Sequence, residues 1–210
     1  MLGTLVTIPV GTTSLAGELD MPSGATAVVV FAHGSGSSRH SPRNQRVAAF
    51  LRERGSFGTL LFDLLTPQED TYYQTRFDIP MLAERLFAVT DWVRGQPATR
   101  GASVGYFGAS TGAAAALIAA SRRDDVAAVV SRGGRPDLAG RALSEVFAPT
   151  LLVVGGADHE VIELNRSAMT RMRGPVQLEI VPGATHLFEE PGALETVSGL
   201  ARVWFERYLV

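Results

Sequence analysis

Short apolar runs recur along this chain, and each is followed by a segment of helical spacing. Ala25–Ala32, Thr59–Phe62, Ser103–Phe107, Val126–Ser131 and Thr150–Val154 are of strand length and carry almost no polar residues. A strand with one face in water alternates, whereas an unbroken run belongs to a strand covered on both faces, as in a parallel sheet. Val176–Val181 reads as the last strand and is taken as buried like the others. The intervening helices are expected at Pro42–Arg54, stopped by Gly55; from an Asp78 cap to about Arg94; at Ser110–Ser121; at Glu160–Met172; and at Pro191–Tyr208. Leu64–Phe77 reads as a polar, irregular loop and Arg132–Leu138 as a Gly/Pro loop. At the start, Leu2–Val10 and Ser14–Asp20 alternate around Gly11, the pattern of an antiparallel hairpin. The expectation is an α/β fold: a mostly parallel, doubly wound sheet with an N-terminal antiparallel hairpin, in one domain over residues 1–210.

Bulk properties narrow the function classes. A net charge of −2 gives no general attraction for nucleic acid or an anionic membrane. There is no cysteine, which excludes disulfides, a thiolate nucleophile and Cys-based metal sites. Met1–Pro9 has neither a basic nor an apolar signal region, and the apolar runs are too short to span a bilayer, so a cytoplasmic protein is expected. Neither nucleic acid nor membrane is expected as a partner, and the chain is expected as a monomer or homodimer.

Gly108-Ala109-Ser110-Thr111-Gly112 fits G-x-S-x-G and lies between a strand and a helix, where a nucleophilic serine must sit on a tight turn. The alternative is a plain Gly-rich turn in which Ser110 caps the helix. Asp158 follows the strand Thr150–Val154, and catalytic groups of open α/β sheets collect beyond the carboxyl ends of strands. The lesser alternative is that it caps the next helix, and Glu160 is a competing carboxylate. His186 lies in a loop after the last strand; it is the one among four histidines that completes the order Ser, Asp, His of α/β-hydrolases. His33-Gly34-Ser35-Gly36 ends the first parallel strand. It can bring the Ser35 N–H to the oxyanion beside that of Thr111, or it can be a phosphate-binding turn. Neither G-x-G-x-x-G nor a P-loop lysine is present, and His33 reads as a buttress of the loop.

The stretches FAHGSGSSRHSPRN, LLFDLLTPQE, RFDIPMLAERL, VSRGGRPDLA and PGATHLFEEPGAL resemble a small bacterial group of the dienelactone hydrolase family, over nearly the whole chain. The resemblance implies an α/β-hydrolase fold, a Ser110–Asp158–His186 triad and an oxyanion contribution from the His33–Gly36 loop. True dienelactone hydrolases use a cysteine nucleophile where this chain has Ser110, which argues against dienelactone itself as substrate. Related chains are sometimes fused to a phosphoribosyltransferase-like domain. The expected function is a carboxylesterase-type serine hydrolase of small esters that works through an acyl-enzyme, with no cofactor and no metal. The same triad would serve lactone or thioester hydrolysis or acyl transfer. A non-catalytic ligand-binding module on a hydrolase scaffold is the reading from another class.

All 19 basic residues are arginine. Arg132 and Arg135 lie beyond the strand Val126–Ser131, and Arg39 and Arg43 flank the oxyanion loop. They form either a fork for a substrate anion or ion pairs with acids such as Asp63 and Asp137. Gly34, Arg39 and Arg132 are the candidate substrate-binding residues. The Arg132–Pro149 connection is too short to build a lid domain, so a shallow, open site is expected.

Overall fold

The structure, a computed structural model, describes residues 3–210. Its strands are β1 (Thr4–Val10), β2 (Thr13–Asp20), β3 (Ala27–Ala32), β4 (Gly58–Phe62), β5 (Ser103–Ala109), β6 (Val126–Arg132), β7 (Thr150–Gly155) and β8 (Val176–Val181). They form one eight-stranded sheet in the order β1-β2-β4-β3-β5-β6-β7-β8. β2 pairs antiparallel with β1 and β4, and β3 to β8 run parallel. Leu2, where the first strand was expected to begin, lies outside the described residues.

The unbroken apolar runs are buried on both faces, as their pattern requires. Every residue of β3, β4 and β7 is buried. Along β3, Val28 and Val30 enter one core, and Val29 and Phe31 the other. The first core is covered by α2 (Ile79–Gly95) and α3 (Thr111–Ser121), the second by α1 (Pro42–Gly55) and α5 (Ala193–Leu209). Val161 and Ile162 of α4 (His159–Met169) pack against Val154 of β7. None of the helices among the described residues is long and apolar enough to cross a membrane.

Three expectations need correction. β8 is not buried like the rest: it lies at the sheet edge, paired only with β7, and only Val181 of it is fully covered. Its own alternation of Gln177 and Glu179 with Leu178 and Ile180 is that of a half-covered strand. α1 includes Gly55 as its last residue, and the left-handed position that ends it falls to Ser56 (φ 56°) rather than to the glycine. Gly55 is instead needed because a Cβ there would stand 2.5 Å from the Phe57 ring. The Leu64–Phe77 segment is more than polar covering. Leu64 and Leu65 are buried, two short 3-10 turns follow at Glu69–Thr71 and Tyr73–Phe77, and Tyr72, Tyr73 and Phe77 are exposed. Arg85, buried on α2, grips this segment through the Leu64 carbonyl (2.7 Å) and the Glu69 carboxylate (2.8 Å), holding the Glu69 carboxyl down to about 2.

A buried hydroxyl pair joins α2 to the central strand. Thr90 donates to the Leu86 carbonyl (2.8 Å), so the Tyr106 hydroxyl on β5 is the donor across the 2.6 Å contact to Thr90 Oγ1. Burial pushes the Tyr106 phenol well above its ordinary value. Tyr106→Phe should cost about 1 kcal/mol in urea unfolding, and Thr90→Val, which strands the buried phenol, more, ~1–3 kcal/mol. Equal, negligible losses would mean that the pair does not couple helix to sheet.

Candidate active site

β5 ends at Ala109 and α3 begins at Thr111, so Ser110 alone makes the turn, with φ 51° and ψ −122°. The flanking glycines are required by close approach. A Cβ at Gly108 would lie 2.5 Å from Ala113 Cα, and one at Gly112 would lie 2.2 Å from the Ala32 carbonyl oxygen. The peptide groups on either side are fixed from outside the turn. Ser110 N–H donates to the Arg132 carbonyl (3.2 Å), and the Ser110 carbonyl accepts from the N–H groups of Ala113 and Arg135 (both 3.1 Å). Ser110 occupies the N-cap position of α3, yet its hydroxyl makes no capping bond. The hydroxyl is left for another use.

Asp158 shows the same economy. It stands at the N-cap of α4 without capping it. Its carboxylate instead accepts from His186 Nδ1 at 2.7 Å, so the other ring nitrogen is left as the acceptor. Backbone bonds bring the two loops together: Gly156 N–H to the Val181 carbonyl (2.8 Å) and Ala157 N–H to that of Ala184 (2.9 Å). Glu160, the competing acid, makes no hydrogen bond to His186, and its charge acts on Arg135. Ser110 and His186 line one cleft of about 240 Å³ together with Ser35, Asn44, Arg132 and Leu187.

The Gly-rich loop after β3 packs directly on the elbow. A Cβ at Gly34 would approach Ser110 Cβ to 3.0 Å. Ser35 N–H, expected to face the oxyanion, donates to Thr111 Oγ1 at 2.8 Å, which ties the loop to the first residue of α3. His33 lies outside the chemistry. Its Nε2 accepts from Leu64 N–H (3.0 Å), which places the proton on Nδ1, and Nδ1 donates to the Gly34 carbonyl (3.0 Å). Burial lowers its pKa from 6.5, so the neutral ring acts as a strut between two loops.

The arginines divide clearly. Arg39 is corrected from substrate binder to structural pair: its N–H donates to Asp63 Oδ1 (2.7 Å) and its guanidinium pairs with the same carboxylate. Arg135 forks Asp137 at 2.8 and 2.7 Å. Arg132 has no carboxylate partner among the described residues. Its Nη2 donates to Asn44 Oδ1 (3.4 Å), its Nε has no partner, and its guanidinium lies 6.0 Å from the Phe188 ring centroid. Burial, with repulsion from Arg43, lowers it to about 10. Asn44 escaped sequence reasoning because it sits in a helix read for its apolar face. The signal was Ser41-Pro42, a cap and first-turn proline that place Arg43 and Asn44 beside the oxyanion loop.

Comparison with known proteins bears on the family and the fold. The model of the dienelactone hydrolase family matches residues 22–204. Two proteins from strains of Mycobacterium tuberculosis, each named "putative phosphoribosyl transferase", are 58% identical over 205 residues, 97% of this chain but 46% of theirs. The chain thus spans about half the length of these curated relatives. The crystal structure of a dienelactone hydrolase from Anabaena variabilis superposes with a TM-score of 0.96 at 53% identity, covering 99% of this chain and 98% of that one. Est1E from Butyrivibrio proteoclasticus shares the fold at 17% identity, with a TM-score of 0.81 and 98% of each chain covered.

The His33 strut has a pH signature. The folded chain favours the neutral ring, so its contribution is fully present above about pH 6.5 and is lost as pH falls toward the lowered folded value. Between about pH 7.5 and about pH 5.5 the urea midpoint of the wild type should fall further than that of His33→Gln, which has no ring to protonate. Parallel falls would remove His33 from the account.

Proposed function

The chain belongs to the dienelactone hydrolase family and has the α/β-hydrolase fold, and we propose that it is a serine hydrolase cleaving small carboxylic esters through Ser110, His186 and Asp158. The observation that carries this reading is the 2.7 Å bond by which Asp158, leaving its own helix uncapped, orients His186 into the cleft that Ser110 lines. His186, through the nitrogen not held by Asp158, takes the Ser110 proton as Oγ attacks the ester carbonyl. Thr111 N–H, at the positive end of α3, receives the oxyanion, and the Ser35 loop, tied to the Thr111 hydroxyl, holds that end of the helix in place. The imidazolium, steadied by Asp158, returns the proton to the leaving alcohol, and water then deacylates Ser110 by the same steps in reverse. No cofactor enters this scheme. The transferase name belongs to relatives about twice as long; the elbow and the Asp–His pair of this chain support acyl chemistry.

Ser110→Ala should leave the fold intact and lower turnover of p-nitrophenyl acetate by orders of magnitude. Asp158→Asn should cost on the order of 10⁴-fold, as the corresponding change does in a serine protease, because the wrong imidazole tautomer is favoured. Glu160→Gln should change little. A reversed ranking of the two acids, measured as kcat/KM on folded protein, would move the acid to Glu160.

The connection between β6 and β7 forms a 3-10 segment, Pro136–Glu145, kinked at Gly140, in place of a lid. An acyl chain longer than the cleft finds little protein to enclose it, and each CH₂ left in water forgoes about 0.8 kcal/mol. Across a series of p-nitrophenyl esters, kcat/KM should therefore peak between acetyl and butyryl. A rise toward octanoyl would implicate the exposed aromatics of Tyr72, Tyr73 and Phe77 as an acyl groove.

A further inference from the structure

We propose that the cleft beside Ser110 contains a phosphate subsite built from Arg132, Arg43 and the first turn of α1, so that the ester substrate carries a phosphate group. The substrate half of this statement rests on the esterase reading; the subsite itself does not. Arg132 carries the argument. The residue is only 6% exposed, no carboxylate among the described residues pairs with it, and its Nε faces no acceptor. A guanidinium buried without a counter-ion loses hydration that nothing returns. Its neighbours Arg39 and Arg135 show that this loop region supplies carboxylates where an arginine is structural. The one polar contact of the Arg132 side chain among the described residues, to Asn44 Oδ1, is long at 3.4 Å.

The surroundings of Arg132 add positive charge. α1 is 14 residues long, has no acidic side chain in its first turn, and begins at this cleft with Ser41, Arg43 and Asn44. Pro42 has no N–H, Asn44 gives its N–H to Ser41 Oγ, and Gln45 gives its own to the Ser41 carbonyl, so the Arg43 N–H is the backbone donor left at this end. The Arg43 side chain is engaged on one side only. Its Nη1 meets Glu189, an acid 64% exposed, at 3.1 Å, while its buried Nε has no partner. Two guanidiniums and a helix N-terminus thus converge with little negative charge between them, and burial and mutual repulsion both act against the charge on Arg132. A carboxylate has two oxygens and one charge. A phosphate has three free oxygens and close to two charges, enough to engage the guanidiniums of Arg132 and Arg43, which both line the cleft, and the Arg43 N–H together. Because Ala109 pairs with Arg132 across the sheet, the bound phosphate would belong to the same small molecule whose ester carbonyl Ser110 attacks.

The test uses the Ser110→Ala protein, so that no turnover is required. Inorganic phosphate is titrated calorimetrically at neutral pH, with sodium acetate and sodium chloride at matched ionic strength as the other arms. Saturable binding of one phosphate is expected, with acetate weaker by about tenfold or more and chloride silent. Adding Arg132→Met should weaken phosphate by about 10- to 100-fold, and adding Arg43→Met by a smaller factor. Absence of saturable binding, equal affinity in the Arg132→Met protein, or acetate as tight as phosphate would each overturn the proposal. Should Arg132→Met fail to fold by circular dichroism, the more exposed Arg43→Met decides, and an unchanged phosphate affinity there overturns it. Phosphate binding in a protein whose wild type cleaves no ester would refute the esterase reading and leave the subsite standing; cleavage of neutral esters without phosphate binding would do the reverse.

Discussion

Ser110 keeps a left-handed backbone because hydrogen bonds from two separate segments hold the peptides on either side of it. The Arg132 carbonyl at the end of β6 accepts its N–H, and the Arg135 N–H beyond that strand, with Ala113 on α3, donates to its carbonyl. A serine in such a conformation costs about 1–3 kcal/mol relative to an extended or helical one, so the turn persists only while those segments stay in register. The register comes from the sheet, where β5 and β6 pair along their buried length, Ala109 opposite Arg132. The central strands are covered on both faces, so β6 cannot slide without uncovering both cores. The presentation of one hydroxyl is in this sense a product of the whole sheet.

The same economy recurs at the carboxyl edge. Two residues stand where helices want caps, Ser110 before α3 and Asp158 before α4, and neither caps. Capping would stabilise each helix by roughly 1 kcal/mol, and both side chains forgo that gain to face the cleft and its histidine. At α1 and α2 the caps are made in the ordinary way: Ser41 accepts from Asn44 N–H and Asp78 from Met81 N–H.

Much of this could be read from residues alone, and the limits were physical. Burial on both faces writes itself into sequence as an absence of alternation, so β3, β4 and β7 were legible; β8 carries Gln177 and Glu179 and lies at the sheet edge, half covered. Gly108 and Gly112 announced the elbow because close backbone approach leaves no room for a Cβ. Gly55 announced a helix end but not the residue that turns it, since the space it leaves is filled by the Phe57 ring from two positions on. The arginines resisted sequence reasoning most. Arg39, Arg132 and Arg135 look alike in a Gly-rich context, and only the folded chain shows that Asp63 and Asp137 reach two of them and that no acid among the described residues reaches the third. Ion pairing is set by where side chains end, which sequence spacing does not encode.

The peptide of Leu64 is held at both ends: its N–H by His33, whose other nitrogen grips Gly34, and its carbonyl by Arg85 on α2. A short relay therefore runs from the outer helix to the loop that presents Ser35 beside the nucleophile. Heredity can exploit such a relay. Descendants of this chain can retune the elbow's surroundings by substitutions on α2 that touch no reacting group, and changes in α2 and in the loop are bound to be epistatic, each setting the worth of the other.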